Sequence, residues 1–124
     1  YATEPEADPV SEWLETCERF QTYVFEDQLV LPGHKLPFVG TETRLDQLIQ
    51  NHHGALKRLE VFLAEPHTAA ECFRTLFKRD IPGGEYGLAL VEAMAHCVHL
   101  WHVGRVTRTP RDDGAWLWQT RGDV

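Results

Sequence analysis

The chain has 124 residues, room for one hydrophobic core and not for two, and its 43% hydrophobic and 25% charged residues exclude a disordered polymer. Nineteen acidic against twelve basic residues leave a formal charge of −7, the wrong sign for a protein that binds by neutralising phosphates, so nucleic acid is not the expected partner. Three widely spaced cysteines, Cys17, Cys72 and Cys97, build neither a disulfide framework nor a zinc knuckle, and no apolar run approaches the roughly 20 residues of a bilayer span; free thiols in a cytoplasmic protein with no membrane contact are expected.

The sequence opens at Tyr1 in an acidic stretch, Thr3 to Pro9, that lacks both regions of a signal peptide and reads as a piece of a longer protein. Trp13, Cys17, Phe20 and Val24, spaced four, three and four, predict a helix over 9–25 packed on one side. Gln28 to Leu31 is a short apolar run stopped by Pro32 and Gly33, which predicts a buried strand followed by a loop, Leu31 to Phe38. Thr43-Arg44-Leu45-Asp46 has the form of a capping box, and Leu45, Leu48, Ile49, His52, Leu56, Leu59 and Leu63 then make one face of a long helix ending before Pro66. A second box, Thr68-Ala69-Ala70-Glu71, opens a shorter helix burying Cys72, Phe73, Leu76 and Phe77, and Pro82-Gly83-Gly84 breaks the chain after it. The third helix runs from about 85 to 103, with Gly104 supplying the left-handed residue that closes it. From Arg105 the period becomes two, and Asp112-Asp113-Gly114 before Trp116-Leu117-Trp118 predicts strand, turn and strand. The expected fold is therefore mostly α with a small β-hairpin: a winged-helix-like domain over 41–124, three helices plus a wing, preceded over 1–40 by a helix and a strand.

His96, His99 and His102 recur every three residues, but on a helix they fan across roughly 120° of arc and cannot converge on one ion; helix packing accounts for them better than zinc. His52 falls on the apolar face and is expected to be a hydrogen-bonded core histidine, while His53 points about 100° away. At least two of Trp101, Trp116 and Trp118 should pack between helix and hairpin. The third helix carries no lysine or arginine, so it is no DNA-recognition helix, and Arg105, Arg108 and Arg111 on the hairpin are opposed by Asp112 and Asp113.

Leu29-Val30-Leu31-Pro32-Gly33-His34, followed by Pro37-Phe38, resembles the segment of metallo-β-lactamase-fold hydrolases that carries their last histidine metal ligand. Arg44, His52-His53, Arg58, Thr68-Ala69, Leu76-Phe77, Ala89, Glu92, Ala95-His96, Leu100 and Gly104-Arg105-Val106 resemble, in order and spacing, that family's appended C-terminal helical domain. The resemblance implies that 1–40 is the end of an αββα metal-binding domain and that His34 is a ligand to zinc, or another divalent metal, in the intact parent. It also implies that the chain's own upstream catalytic domain is its partner, with a homo-oligomer possible. That parent would use a metal-bound water against a carbonyl or phosphoryl centre, and this region would stabilise the catalytic domain or shape its substrate cleft. The family's H-x-H-x-D-H motif, second-site histidine and bridging aspartate are absent, and Lys35 stands where glycine is usual. No catalytic residue is assigned: a lone imidazole cannot complete a shell of about four ligands, so the chain by itself is expected to hydrolyse nothing. A non-enzymatic winged-helix module for protein or nucleic-acid contact is the alternative, though it has no reason to carry Leu31 to His34. If a sheet once covered residues 1–40, then Trp13, Phe20, Val24, Leu29 and Val30 have lost part of their burial.

Overall fold

A computed structural model describes residues 6–122, so Tyr1 and Thr3 lie outside the described residues. The elements in chain order are α1 (Pro9–Phe20), α2 (Thr41–Phe62), α3 (Phe73–Phe77), α4 (Tyr86–His102), β1 (Val106–Pro110) and β2 (Trp116–Thr120). This mostly helical order closing on one antiparallel hairpin is the coarse fold expected.

α1 starts at Asp8, whose Oδ1 accepts from the Ser11 amide at 3.0 Å while Pro9, needing no amide partner, fills the first helical position. It stops at Phe20, short of the predicted 25. The Thr22 hydroxyl takes the Arg19 carbonyl at 2.7 Å, and the last amides turn back three residues, tightening the helix into a turn. The buried face shares only Cys17 with the predicted stripe. Val10, Leu14 and Cys17 enter the core against α2 and α4, whereas Trp13 and Phe20 are exposed. The helix has two apolar stripes, and the structure covers only one of them.

The predicted strand at Gln28–Leu31 is reduced to a single antiparallel bridge between Val30 and Phe38. α2 likewise begins at Thr41, ahead of the expected box. Gly40, at φ +99°, turns the chain, and the Glu26 carboxylate caps the helix from 17 residues upstream, accepting from the Thr43 amide at 3.1 Å and its hydroxyl at 2.7 Å. Only half of the second box forms: Glu71 accepts from the Thr68 amide at 2.9 Å, but the Thr68 hydroxyl donates to the same carboxylate at 3.1 Å and caps no amide, and the turn that follows, Ala70–Cys72, is 3₁₀ before it becomes α3. α3 ends on Lys78 at φ +58°, and the Arg58 guanidinium of α2 satisfies its last carbonyls, Thr75 and Leu76, at 3.2 and 3.4 Å.

α4 is the central element, burying Ala89, Ala93 and the run His96 to Leu100. Gly104 follows at φ +80° as expected and hands the chain to β1. In the hairpin Val106 faces Thr120 and Arg108 faces Trp118. β2 also has a second neighbour: Trp118 exchanges backbone hydrogen bonds with His67 at 2.8 and 3.1 Å, and the Thr120 amide donates to Leu63 at 2.7 Å. The fully buried centre, Leu59, Leu63, Cys72, Cys97, Val106 and Trp118, therefore joins α2, α4 and both strands. Truncating Leu59 or Leu63 there to alanine would cost about 2–5 kcal/mol.

Candidate functional site

His34 stands at the tip of a loop closed by the Val30–Phe38 bridge, whose two backbone bonds measure 2.7 and 3.1 Å. It is exposed, and so are Leu29, Leu31, Leu36 and Val39 around it. Pro32 restricts the loop. Gly33 adds no such constraint, since its φ lies outside the left-handed region and an added Cβ would meet nothing. Among the described residues no three His, Cys, Asp or Glu side chains converge as a metal centre. The donor set present therefore does not make a zinc site by itself, and no chemical step follows from it.

The other histidines divide by burial. His52, half-buried, has Nδ1 3.1 Å from the Leu48 carbonyl, and buried His96 has Nδ1 2.7 Å from the Glu92 carbonyl. Each carbonyl can only accept, so each Nδ1 carries a proton and donates. The rings stack at 5.6 Å with 18° between their planes, and Trp13 lies 6.0 Å beyond His52. Stacked rings keep their ring nitrogens in separate, nearly parallel planes, an arrangement of packed rings and not of ligands converging on one ion. They line a cleft of about 460 Å³ together with Gln50, Asn51, Arg58 and Glu92. Burial pushes the His96 pKa below its ordinary 6.5, leaving a neutral ring.

His99 is buried against Asp8, its Nδ1 3.0 and 3.1 Å from the two carboxylate oxygens, which ties the entrance of α1 to the far end of α4. His102 is exposed. Sequence reasoning missed Asp8, although Asp followed by Pro is a helix-start signal; its partner 91 residues away carries no local sign. His67 stacks on Phe62 at 4.1 Å and bridges to Trp118, which its position between two elements makes possible.

Arg108 lies over Trp101 at 3.8 Å and Trp116 at 4.3 Å, with Trp118 at 5.8 Å, so the hairpin's best-placed cation is spent on aromatic faces. Arg111 binds Asp113 through two bonds of 2.9 and 2.6 Å and holds that carboxyl down to about 2. The cysteines are unbridged and buried. Contact with Cys72 and burial push the Cys97 thiol well up, and burial raises Cys17; neither is poised as a nucleophile.

Residues 56–121, more than half of the chain, match the sequence model of the metallo-beta-lactamase-like, C-terminal domain. The chain belongs to that family. Its fold is similar to a beta-lactamase domain protein from Burkholderia ambifaria, with a TM-score of 0.89 and 36% identity over 98% of this chain and 36% of that one. A metallo-beta-lactamase family protein from Thermus thermophilus shares the fold at a TM-score of 0.75 and 24% identity over 92% of this chain and 34% of that one. The chain thus spans about a third of the length of these relatives. No curated protein matches it. No helix among the described residues is long and apolar enough to cross a membrane.

Proposed function

We propose that this chain is the accessory end of a zinc-dependent metallo-β-lactamase-type hydrolase, a winged-helix variant that seats on its own upstream catalytic domain and lends it His34 as one metal ligand. Helix, single-residue bridge at His67, helix, helix and hairpin is an order that supports the winged-helix reading. The observation carrying the docking role is the run of exposed large apolar residues from Trp13 to Val39, which includes Phe20, Tyr23, Phe25, Leu29, Leu31 and Leu36. Large apolar side chains exposed in such number along one segment mark an interaction site, and relatives about three times this length have further chain that would cover them. The unbridged thiols fit a reducing cytoplasm. Nucleic acid is not part of this reading, since α4 carries no lysine or arginine and Arg108 is engaged by tryptophans.

Hydrogen exchange on the intact protein tests the docking: slow amides across 23–39 support it, and exchange at the rate of an open loop overturns it. His34→Ala in the intact protein should lower bound zinc, while His53→Ala, an exposed position on α2, should not. Equal zinc in both variants removes His34 from the ligand set.

A further inference from the structure

The cleft beside the stacked imidazoles carries positive charge that the chain does not neutralise. Elsewhere in this acidic protein arginines meet carboxylates: Arg74 pairs with Asp80, Arg79 with Glu85, Arg105 with Glu60 and Arg111 with Asp113. Arg58 and Lys78 both line the cleft, where the one carboxylate is Glu92, and neither cation makes an ion pair among the described residues. Arg58 is half-buried, and its Nε and Nη2 are fixed on the Thr75 and Leu76 carbonyls, which leaves Nη1 and the second Nη2 hydrogen without an acceptor. Gly54 also lines the cleft; a Cβ there would stand 3.5 Å from Nη1, so glycine keeps the approach to that nitrogen open. His96, only 8% exposed, adds a flat wall, and beyond its Nδ1 bond to Glu92 its second ring nitrogen meets no hydrogen-bond partner among the described residues.

We propose that this cleft binds a small organic anion, its carboxylate or phosphate group held by Arg58 and Lys78 and its body lying against the imidazole pair and Phe77. A guanidinium fixed along one edge offers its remaining N–H groups as a planar fork, the geometry that takes two oxygens of a carboxylate or phosphate at once. Because the α3 carbonyls already hold Arg58 in place, little side-chain freedom is lost when a ligand arrives. The cleft, about 460 Å³, is of the size that takes one small molecule, whereas a polyanion would meet the net charge of −7 around it. Burial keeps the His96 ring neutral, so it contributes a flat face and a hydrogen-bonding nitrogen without adding charge. Glu92 repels a second anionic group and can accept from a hydroxyl or amine, which favours a ligand with a single anionic end. The site uses neither His34 nor the exposed residues from Phe20 to Val39, so it stands or falls independently of the docking role.

Titration of the intact protein with benzoate and with phenyl phosphate at fixed pH, followed by the ring signals of His52 and His96 in carbon–proton correlation spectra, should give saturable shifts. Dissociation constants should be about millimolar, as molecules of this size allow, and the tighter of the two probes identifies the anionic group. Benzamide, which keeps the ring and lacks the charge, should bind at least about tenfold more weakly than benzoate. Arg58→Gln should weaken anion binding at least about tenfold through loss of a charge-assisted pair. Since that change also uncaps α3, the deciding variant is Lys78→Gln, on an exposed side chain, which should weaken binding about two- to fivefold. Lys57→Gln, exposed on α2 and outside the cleft wall, should leave the affinity unchanged. Absence of saturable shifts with both anions across the millimolar range overturns the proposal, as does benzamide binding as tightly as benzoate or an affinity indifferent to Lys78→Gln.

Discussion

Replacing Asp8 by alanine removes two contacts at once. The Ser11 amide loses its cap, a change that costs about 1 kcal/mol at a helix start. The His99 Nδ1, on a side chain only 11% exposed, loses its acceptor, and an orphaned buried polar group costs about 1–3 kcal/mol. Asp8→Ala should therefore destabilise by about 2–4 kcal/mol, a large share of the 5–15 kcal/mol typical of a folded domain. Asp8→Asn keeps an oxygen for both donors and should cost about half as much or less. Urea unfolding followed by circular dichroism and tryptophan fluorescence measures both, and the two probes should coincide if α1 belongs to one cooperative unit with α2 and α4. A double-mutant cycle with His99→Gln should return a coupling of about 1 kcal/mol or more. Asp8→Ala within about 0.5 kcal/mol of the parent would refute the reasoning, because the carboxylate would then be neither cap nor partner.

Stability should fall as pH drops from 6.5, because the unfolded chain takes up a proton there while burial keeps His96 neutral in the fold. His96→Gln should flatten that decline in a pH series of urea midpoints, and an unchanged slope would exclude His96 as its source. Arg108→Ala should cost about 1–2 kcal/mol by removing a cation from between Trp101 and Trp116, with Arg108→Lys intermediate by the same urea assay. Glu26→Ala should speed hydrogen exchange at the Thr43 amide. Since the bonds from Thr43 hold this carboxyl below 4.5, the parent should lose its protection relative to the variant, both compared at the same pH, only as pH falls through that lowered value.

The long helices were legible because leucines at spacings of three and four leave only one face to bury, as Leu45 to Leu63 do. The hairpin was legible from its change of period, and Gly104 from the need for a positive φ. α1 was misread for a physical reason: two apolar stripes run along it, and periodicity cannot say which of them finds a partner. The start of α2 was misplaced because its cap comes from Glu26, whose side chain reaches across a turn that no local motif describes. His34 could be singled out in the sequence, but its surroundings could not, since the apolar run before it predicts a strand and only the Val30–Phe38 bridge forms.

β2 has a consequence for the order in which the molecule assembles. It bonds to β1 on one side and to His67 on the other, and the Thr120 hydroxyl reaches back 60 residues to the Glu60 carbonyl. Contacts between residues so far apart in the chain are closed late, after the entropy of the intervening loop has been surrendered. During synthesis, α2, α3 and α4 must wait with Leu59, Leu63 and Cys97 half-covered until Trp118 emerges to fill the space among them. The last strand thus acts as a latch: until it engages, the helices form an open clamp, and a cut in the Arg111–Ala115 turn would leave it held by noncovalent contacts alone.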